Sequence, residues 1–405
     1  MINMGEIFAH ERIGDIEMER VQMSEREIAS FAVKKGDLLF ARQSLVTAGA
    51  GKCSLVKSIN ETTTFESHLI RVRLDEQRAN PDFFFYYFIS PEGKANVQSL
   101  VMQVAAAGIR GSELAKLQVP VPPIAVQRRI AGILSAYDEL MEKSQRRIRI
   151  LEAMARALYR EWFVFFRFPA HEKLPRVASP LGDIPQGWDV KPLESLMVDH
   201  IGGGWGKETA DEDHTEPAWV IRGTDIPYAR SSRVADVPHR FHTVSNLRTR
   251  RVQVGDILFE VSGGSKGQPV GRTLLLTPQL LSAFGDESVI CASFCKRVRP
   301  DRAGYGSELL YLSFLEGYES GEIEQFQVQS TGISNFKWTE YIAKTERVIP
   351  PEPLRMRFRD RVAPLFSQIA TLGLQIQSLR RTRDLLLPRL LSGGLNLVES
   401  NRSVS

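Results

Sequence analysis

The sequence predicts an α+β protein built from two pseudo-repeated domains, each followed by a long helix, with the two helices running antiparallel as a coiled coil. Three observations predict it: an N-terminal segment that recurs 219 residues further on, a Pro-Pro pair closing each copy, and a heptad spacing of apolar residues after each pair. Self-similarity over this distance constrains a fold more than local propensity does.

The segment Ile2 to Phe40, with INMGEI and VKKGDLLF, matches Ile221 to Phe259, with IRGTDI and VQVGDILF. Glu6 pairs with Asp225, Gly36 with Gly255 and Asp37 with Asp256. In both copies a Gly-Asp turn precedes an apolar run, Leu38 to Phe40 and Ile257 to Phe259. A Gly-rich loop comes next, at Gly49 to Gly51 and at Gly263 to Gly271, as expected of a strand leading into a loop. Ala107-Gly108-Ile109-Arg110 then corresponds to Thr331-Gly332-Ile333-Ser334, and the copies end at Pro122-Pro123 and Pro350-Pro351. The domains are accordingly expected at 1–123 and 181–350.

A helix is expected over 124–170 and another over 353–395, leaving 396–405 as a disordered tail. The first has seam positions Tyr137, Met141, Ser144, Ile148, Leu151, Ala155, Leu158 and Trp162, spaced alternately four and three residues apart. The matching positions of the second are Leu365, Ile369, Leu372, Ile376, Leu379, Arg383, Leu386 and Leu390, one arginine in an apolar row. Helices of about 30 to 40 residues run roughly 45 to 60 Å, more than one turn of a B-form duplex, and so act as a ruler. Ser135 three residues before Asp138 reads as a capping-box start, Pro364 as a first-turn residue and Gly393-Gly394 as a stop, with Pro388 expected to kink the last turns.

Composition narrows the function classes. At 405 residues the chain exceeds one typical core. No apolar run approaches the roughly 20 residues of a membrane span and no basic-then-apolar leader follows Met1, so the expected location is cytoplasmic. The cysteines Cys53, Cys291 and Cys295 are too few for a disulfide framework and lack a nearby His pair, so buried reduced thiols are expected. With 52 basic against 48 acidic residues the net charge is only +4, so any nucleic-acid affinity must come from local patches.

Four stretches carry a resemblance: PPIAVQRRIAGILSAYDEL from Pro122 to Leu140, ALYREWFVFFRFP ending at Pro169, IPQGWDVKPLESL from Ile184 to Leu196, and DLLLPRLLSGGL from Asp384 to Leu395. With these the chain resembles the specificity subunits of type I restriction-modification systems. The resemblance implies two target-recognition domains that each read half of an asymmetric, interrupted DNA site, held apart by two spacer helices. It implies double-stranded DNA, two methyltransferase subunits and restriction subunits as partners, no cofactor or metal, and no catalytic residue of its own. Where the family often has Glu-Gln after Pro-Pro, this chain has Val126-Gln127 and Leu354-Arg355. The second copy also opens with Gln186-Gly187-Trp188 and runs more than 30 residues before Val220, so the first domain reads as truncated at its N-terminus; if the missing part forms a strand, an unpaired edge and an exposed core face are expected.

Loops after the strands are where phosphates and base edges would be held. This singles out Arg42, Gln43, Lys52 and Arg110 in the first copy, and Arg222, Lys266, Arg272, Ser334, Asn335 and Lys337 in the second. The arginines Arg146, Arg147, Arg149, Arg156 and Arg160 read as a solvated or partner-facing side of the helix. The aromatics Trp162, Phe163, Phe165 and Phe166 suit either a methyltransferase docking surface or packing on the recognition domain.

Several segments imitate enzyme motifs. Ala48-Gly49-Ala50-Gly51-Lys52 and Gly202 to Lys207 look like phosphate-binding loops but have Val46 and Ile201 for the first glycine, and Cys53 and Glu208 where Ser or Thr belongs. Both read better as mobile loops. Pro81-Asp82 with Glu92-Gly93-Lys94 mimics a metal-dependent nuclease, but Asn80-Pro81 also makes a good helix entry. Three alternatives therefore stand beside the main reading: a nuclease using Asp82, Glu92 and Lys94, a coiled-coil scaffold without DNA affinity, and an inactive or half-site-only remnant.

Overall fold

Each Gly-Asp turn introduces the strand around which a sheet is built. Gly36 and Gly255 have φ of 89° and 84°, the left-handed region that a side chain disfavours, and this lets the adjoining aspartate fold back. Asp37 accepts the Lys34 N–H at 2.7 Å and Asp256 accepts the Gln253 N–H at 2.8 Å. Both carboxylates are buried and each is gripped by an arginine fork, from Arg73 at 2.7 Å and from Arg299 at 2.9 Å.

The computed structural model describes residues 1–44, 49–103, 107–263, 269–330 and 333–393. They form two compact units, Met1–Leu140 with Leu379–Ser405, and Met141–Ser378. Each long helix therefore contributes to both units.

The first unit begins with α1 (Met4–Ala9), β1 (Arg12–Ile13), α2 (Glu25–Phe31), β2 (Leu38–Ala41), β3 (Gln43–Ser44), β4 (Cys53–Val56) and β5 (Leu69–Val72). It continues with α3 (Pro81–Ile89), α4 (Pro91–Gln98), β6 (Met102–Gln103), β7 (Ala107–Gly108), α5 (Gly111–Leu114) and the start of α6 (Ile124–Tyr159). Its sheet has the order β1-β4-β2-β5. Leu38 and Phe40 of β2 pack with the aromatic run Phe83 to Phe88 of α3 and with Ile130, Leu134, Leu387 and Leu390 of the long helices. Leu39 and Ala41 face the other way, into a smaller core with Ile2, Ile7 and Ile13. Cys53 is a buried free thiol whose pKa burial pushes up.

The second unit opens with the end of α6, a π-helical turn at Arg160–Val164, β8 (Arg176–Ser179), β9 (Gly182–Pro185), β10 (Asp189–Pro192), β11 (Met197–Gly202) and β12 (Glu216–Ile221). Next come α7 (Ile226–Ala229), β13 (His239–His242), α8 (Val244–Arg250), β14 (Ile257–Glu260), β15 (Ser262–Gly263), β16 (Thr273–Leu275), α9 (Pro278–Ser282), β17 (Ser288–Cys291) and β18 (Cys295–Pro300). It closes with α10 (Ser307–Glu319), β19 (Gln327–Ser330), β20 (Ile333–Phe336), α11 (Trp338–Lys344), β21 (Glu346–Ile349) and most of α12 (Glu352–Leu391). Its main sheet has the order β11-β18-β14-β16, in which β14 takes the place of β2, β16 of β4 and β18 of β5. Ile2 bridges Phe65 in parallel as Ile221 pairs with Cys291 in parallel, so the repeat extends to the first residues.

Both long helices start earlier than their capping signals suggest. α6 begins directly after Pro123, fixed by buried Gln127, whose side chain donates to the Pro122 and Arg78 carbonyls and accepts the Asn80 N–H. Ser135 is no cap: it lies inside α6 with its hydroxyl on the Gly132 carbonyl, and Asp138 is a buried group of the helix seam. α12 likewise begins at Glu352, so Pro364 lies in its interior, and the helix continues through Pro388 to Leu391. Gly393 has φ 71°, suited to a stop; Gly394 and the expected 396–405 tail lie outside the described residues.

The seam follows the heptad. In the second unit Met141, Ile148, Ala155, Trp162, Ile369, Leu372 and Ile376 are buried, with Leu151, Leu158 and Leu365 half-buried. Phe358 packs on Tyr159, Trp162 and Phe163 while Phe366 and Ile369 lie beside Glu152, so one helix recedes as the other advances. In the first unit Asp138 meets Arg383, and Ile130 and Leu134 share a core with Leu387 and Leu390, again antiparallel; Tyr137, Leu379 and Leu386 are half-buried at its margin.

Candidate nucleic-acid interface

Beyond its central strand each unit extends a short ribbon. β3 comes after β2 and Arg42 and pairs with β7, which pairs with β6; β15 comes after β14 and Val261 and pairs with β20, which pairs with β19. Gln43 lies opposite Gly108, and Ser262 opposite Asn335. The base of each ribbon is closed by the same bond, Ile109 N–H to the Arg42 carbonyl and Phe336 N–H to the Val261 carbonyl, both 2.8 Å. Ile109 and Phe336 then drive their side chains into the cores, which fixes the direction of the exposed residues around them.

The structure brings five expected residues onto these ribbons. Arg42, Gln43 and Arg110 are exposed in the first unit, Asn335 and Lys337 in the second. Because Ile109 matches Phe336 rather than Ile333, the sequence pairing of Arg110 with Ser334 is corrected by three residues: Arg110 and Lys337 are counterparts, each standing just before the short helix at the end of its ribbon. Asn335 Oδ1 accepts the Ser262 hydroxyl at 2.8 Å, leaving its amide nitrogen outward, while Lys337 has a loose ion pair with Glu340 at 3.3 Å.

Other expected residues have different surroundings. Ser334 is buried. Lys52 donates to the Phe8 carbonyl at 2.6 Å and lies over the Phe8 ring, and desolvation lowers its pKa. Arg222 forks onto Asp225 at 2.8 and 2.9 Å, and Arg272 grips buried Glu260, which holds its pKa up. A guanidinium saturated by a buried carboxylate has few donors left for a base edge, so these two serve as framework. Lys266 lies outside the described residues.

The look-alike motifs resolve into structure. Gly203 and Gly204 donate to the Cys295 and Cys291 carbonyls at 2.9 Å, so this stretch is pinned to the strands rather than mobile. Within it, half-exposed Trp205 stacks with Arg240 at 4.6 Å, a surface pair that the glycine pattern had obscured. Asn80 caps α3 through the Phe83 N–H, and Asp82 is paired with Lys57 at 2.9 Å, the helix-entry reading of that segment. Among the described residues no group of three or more His, Cys, Asp or Glu could hold a metal ion. Arg156 and Arg160 pair with Glu319 and Glu316 of α10, Trp162 packs on Phe358, and Phe163 packs on both Trp188 and Phe358, so these side chains are structural; Phe165 remains exposed.

Known proteins resemble this chain along most of its length. Residues 14–152 match the family model described as the type I restriction modification DNA specificity domain. The chain is 23% identical over 391 residues to the type I restriction enzyme MjaIX specificity subunit of Methanocaldococcus jannaschii, covering 94% of this chain and 84% of that protein. It is 20% identical to the HindI specificity subunit of Haemophilus influenzae, over 90% of this chain and 88% of the relative. The chain carries a type I restriction-modification specificity domain and is similar over nearly its whole length to type I specificity subunits. The fold agrees: the S subunit of a type I system from M. genitalium aligns with a TM-score of 0.53 and 12% identity, covering 94% of this chain and 88% of that one. Specificity subunits are DNA-recognition components, and each ribbon of this chain carries exposed cationic or amide side chains. No described helix is long and apolar enough to cross a membrane.

Proposed function

We propose that this specificity subunit reads a bipartite, asymmetric DNA site, one half with each ribbon, and positions methyltransferase and restriction subunits in the cytoplasm while contributing no catalytic group itself. The observation that carries this reading is the duplication of the ribbon, with Arg42, Gln43 and Arg110 exposed on one copy and Asn335 and Lys337 on the other. Arginine and lysine suit guanine edges and phosphates, and glutamine and asparagine suit adenine. Because the two sets differ, the two half-sites should differ too. The helices supply the spacing: α6 with 36 residues and α12 with 40 are about 54 and 60 Å long at 1.5 Å per residue.

Two methyltransferase subunits are expected from the two-fold repeat of the chain, one served by each recognition domain. The domains assigned to reading are 1–123 and 181–350, and the helices are their spacers. The test is co-expression with a methyltransferase subunit followed by genome-wide mapping of methylated adenines. A two-part asymmetric motif is the expected result; methylation without a defined motif, or with one half only, overturns the bipartite reading.

A further inference from the structure

The ribbon of each unit is clamped to a tight turn by a single residue. In the first unit Arg42 donates its N–H to the His68 carbonyl and accepts the Ile109 N–H, both at 2.8 Å. In the second, Val261 donates to the Phe294 carbonyl and accepts the Phe336 N–H at the same distances, and the Ser262 N–H adds a bond of 3.2 Å to the Phe294 carbonyl. The two turns are equivalent: Leu69 N–H closes on the Glu66 carbonyl at 3.1 Å, and Cys295 N–H on the Ala292 carbonyl at 2.9 Å. Each carries a serine followed by a ring, Ser67-His68 and Ser293-Phe294.

Leu69 and Cys295 are buried at the start of their strands, which turns the residue before each outward. Phe294 is 57% exposed and the His68 side chain 49%. His68 Nδ1 lies 3.2 Å from Glu66 Oε2, and Glu66 is itself fixed by the Met4 N–H at 2.6 Å. The imidazole is thus held by one nitrogen, and Nε2 has no hydrogen-bond partner among the described residues. The Phe294 turn is gripped on its other flank by Gly203 and Gly204, which donate to the Cys295 and Cys291 carbonyls. A Cβ on Gly203 would meet the Cys291 carbonyl oxygen at 2.1 Å, so this grip depends on glycine. A phenyl group left in water on so rigid a tip contributes little to folding.

We propose that Phe294 and His68 are specificity-determining residues, each contacting one base beside those reached by its ribbon: Phe294 the 5-methyl group of a thymine, His68 a base edge through Nε2. This deepens the DNA reading given above and rests on it. Because one backbone residue fixes both turn and ribbon, the ring is in register with Gln43 in the first unit, and in the second with Ser262 and the Asn335 amide bonded to it. A phenyl ring has no donor or acceptor for a phosphate or an amide edge, so in the major groove it distinguishes the thymine methyl. An imidazole exchanges a hydrogen bond with a base edge instead. The same turn bearing two different rings suits two half-sites that differ.

The experiment compares methylated-adenine maps from cells that co-express a methyltransferase subunit with the full-length parent, Phe294→Ala, Phe294→Leu or His68→Ala. Phe294→Ala should relax one thymine position of one half-site, the ratio of cognate to mismatched methylation there falling about tenfold. Phe294→Leu keeps an apolar contact and should retain the preference, and His68→Ala should relax one position of the other half-site. Melting temperatures should stay at the parent value, since both side chains are exposed. Parent-like specificity in an alanine variant, or an equal loss of methylation at every position with a lowered melting temperature, overturns the assignment of that residue and leaves the bipartite reading standing. A parent map without a two-part motif overturns both.

Discussion

Arg383 of α12 donates to Asp138 of α6 at 2.6 Å, with side chains 10% and 5% exposed. Asp138 also accepts the Tyr86 hydroxyl at 2.5 Å and has Arg12 at 3.5 Å, so one carboxylate joins both long helices to α3 and β1. Removing one partner leaves a buried charge behind. Arg383→Met should therefore lower stability by about 3–5 kcal/mol in urea unfolding, and adding Asp138→Leu should not recover the loss, because Arg12 and the Tyr86 hydroxyl then lose their carboxylate. Equal stability of Arg383→Met and the parent would show that the pair carries no weight.

The two Gly-Asp turns should differ in cost. Among the described residues Asp37 pairs with Arg73, whereas Asp256 has Arg299 at 2.9 Å and Arg297 and Arg302 at 3.9 Å. Replacing Asp256 with Ala is expected to destabilise by roughly 3 kcal/mol or more, and Asp37→Ala by less, because more positive charge is left uncompensated. Hydrogen exchange of β14 and β2, measured in each variant, reads the two units separately.

Two helical glycines should respond with opposite sign to the same change. A Cβ on Gly373 would meet the Ser231 carbonyl oxygen at 2.2 Å, so α12 relies on this glycine for a close approach; Gly132 on α6 has nothing within 4 Å. Gly373→Ala should cost about 1–3 kcal/mol. Gly132→Ala should stabilise by roughly 0.5–1 kcal/mol through helix propensity. Thermal melts of the two variants decide it.

For DNA binding, Arg110→Ala and Lys337→Ala should each weaken binding, and the slope of log K against log salt should flatten by about 0.9 for each phosphate no longer neutralised. If either side chain reads a base instead, the slope holds and discrimination at one position drops by about 1–3 kcal/mol. Arg272→Ala should act differently, lowering stability because Glu260 is left buried without its partner. Fluorescence anisotropy across a salt series, beside a melt, separates these outcomes.

Recurrence and periodicity along the chain were enough to specify the repeat, the strands after Gly36 and Gly255 and the apolar heptad positions of each long helix, because these are properties of the sequence that burial then obeys. They also placed Arg42, Gln43, Arg110, Asn335 and Lys337 beyond the central strands, since a strand ending in a loop exposes the residues at its end. The roles of Asp138 and Arg272 were set by tertiary packing. A Ser-x-x-Asp pattern can cap a helix or pass through its interior, and the choice was made by Arg383, 245 residues away in sequence. An arginine beside a loop can face DNA or neutralise a buried carboxylate, and Glu260, fixed by the position of β14 in its sheet, took Arg272. Local pattern specifies what a residue can do; the low-dielectric surroundings assembled from distant segments select which of those options has the lower free energy.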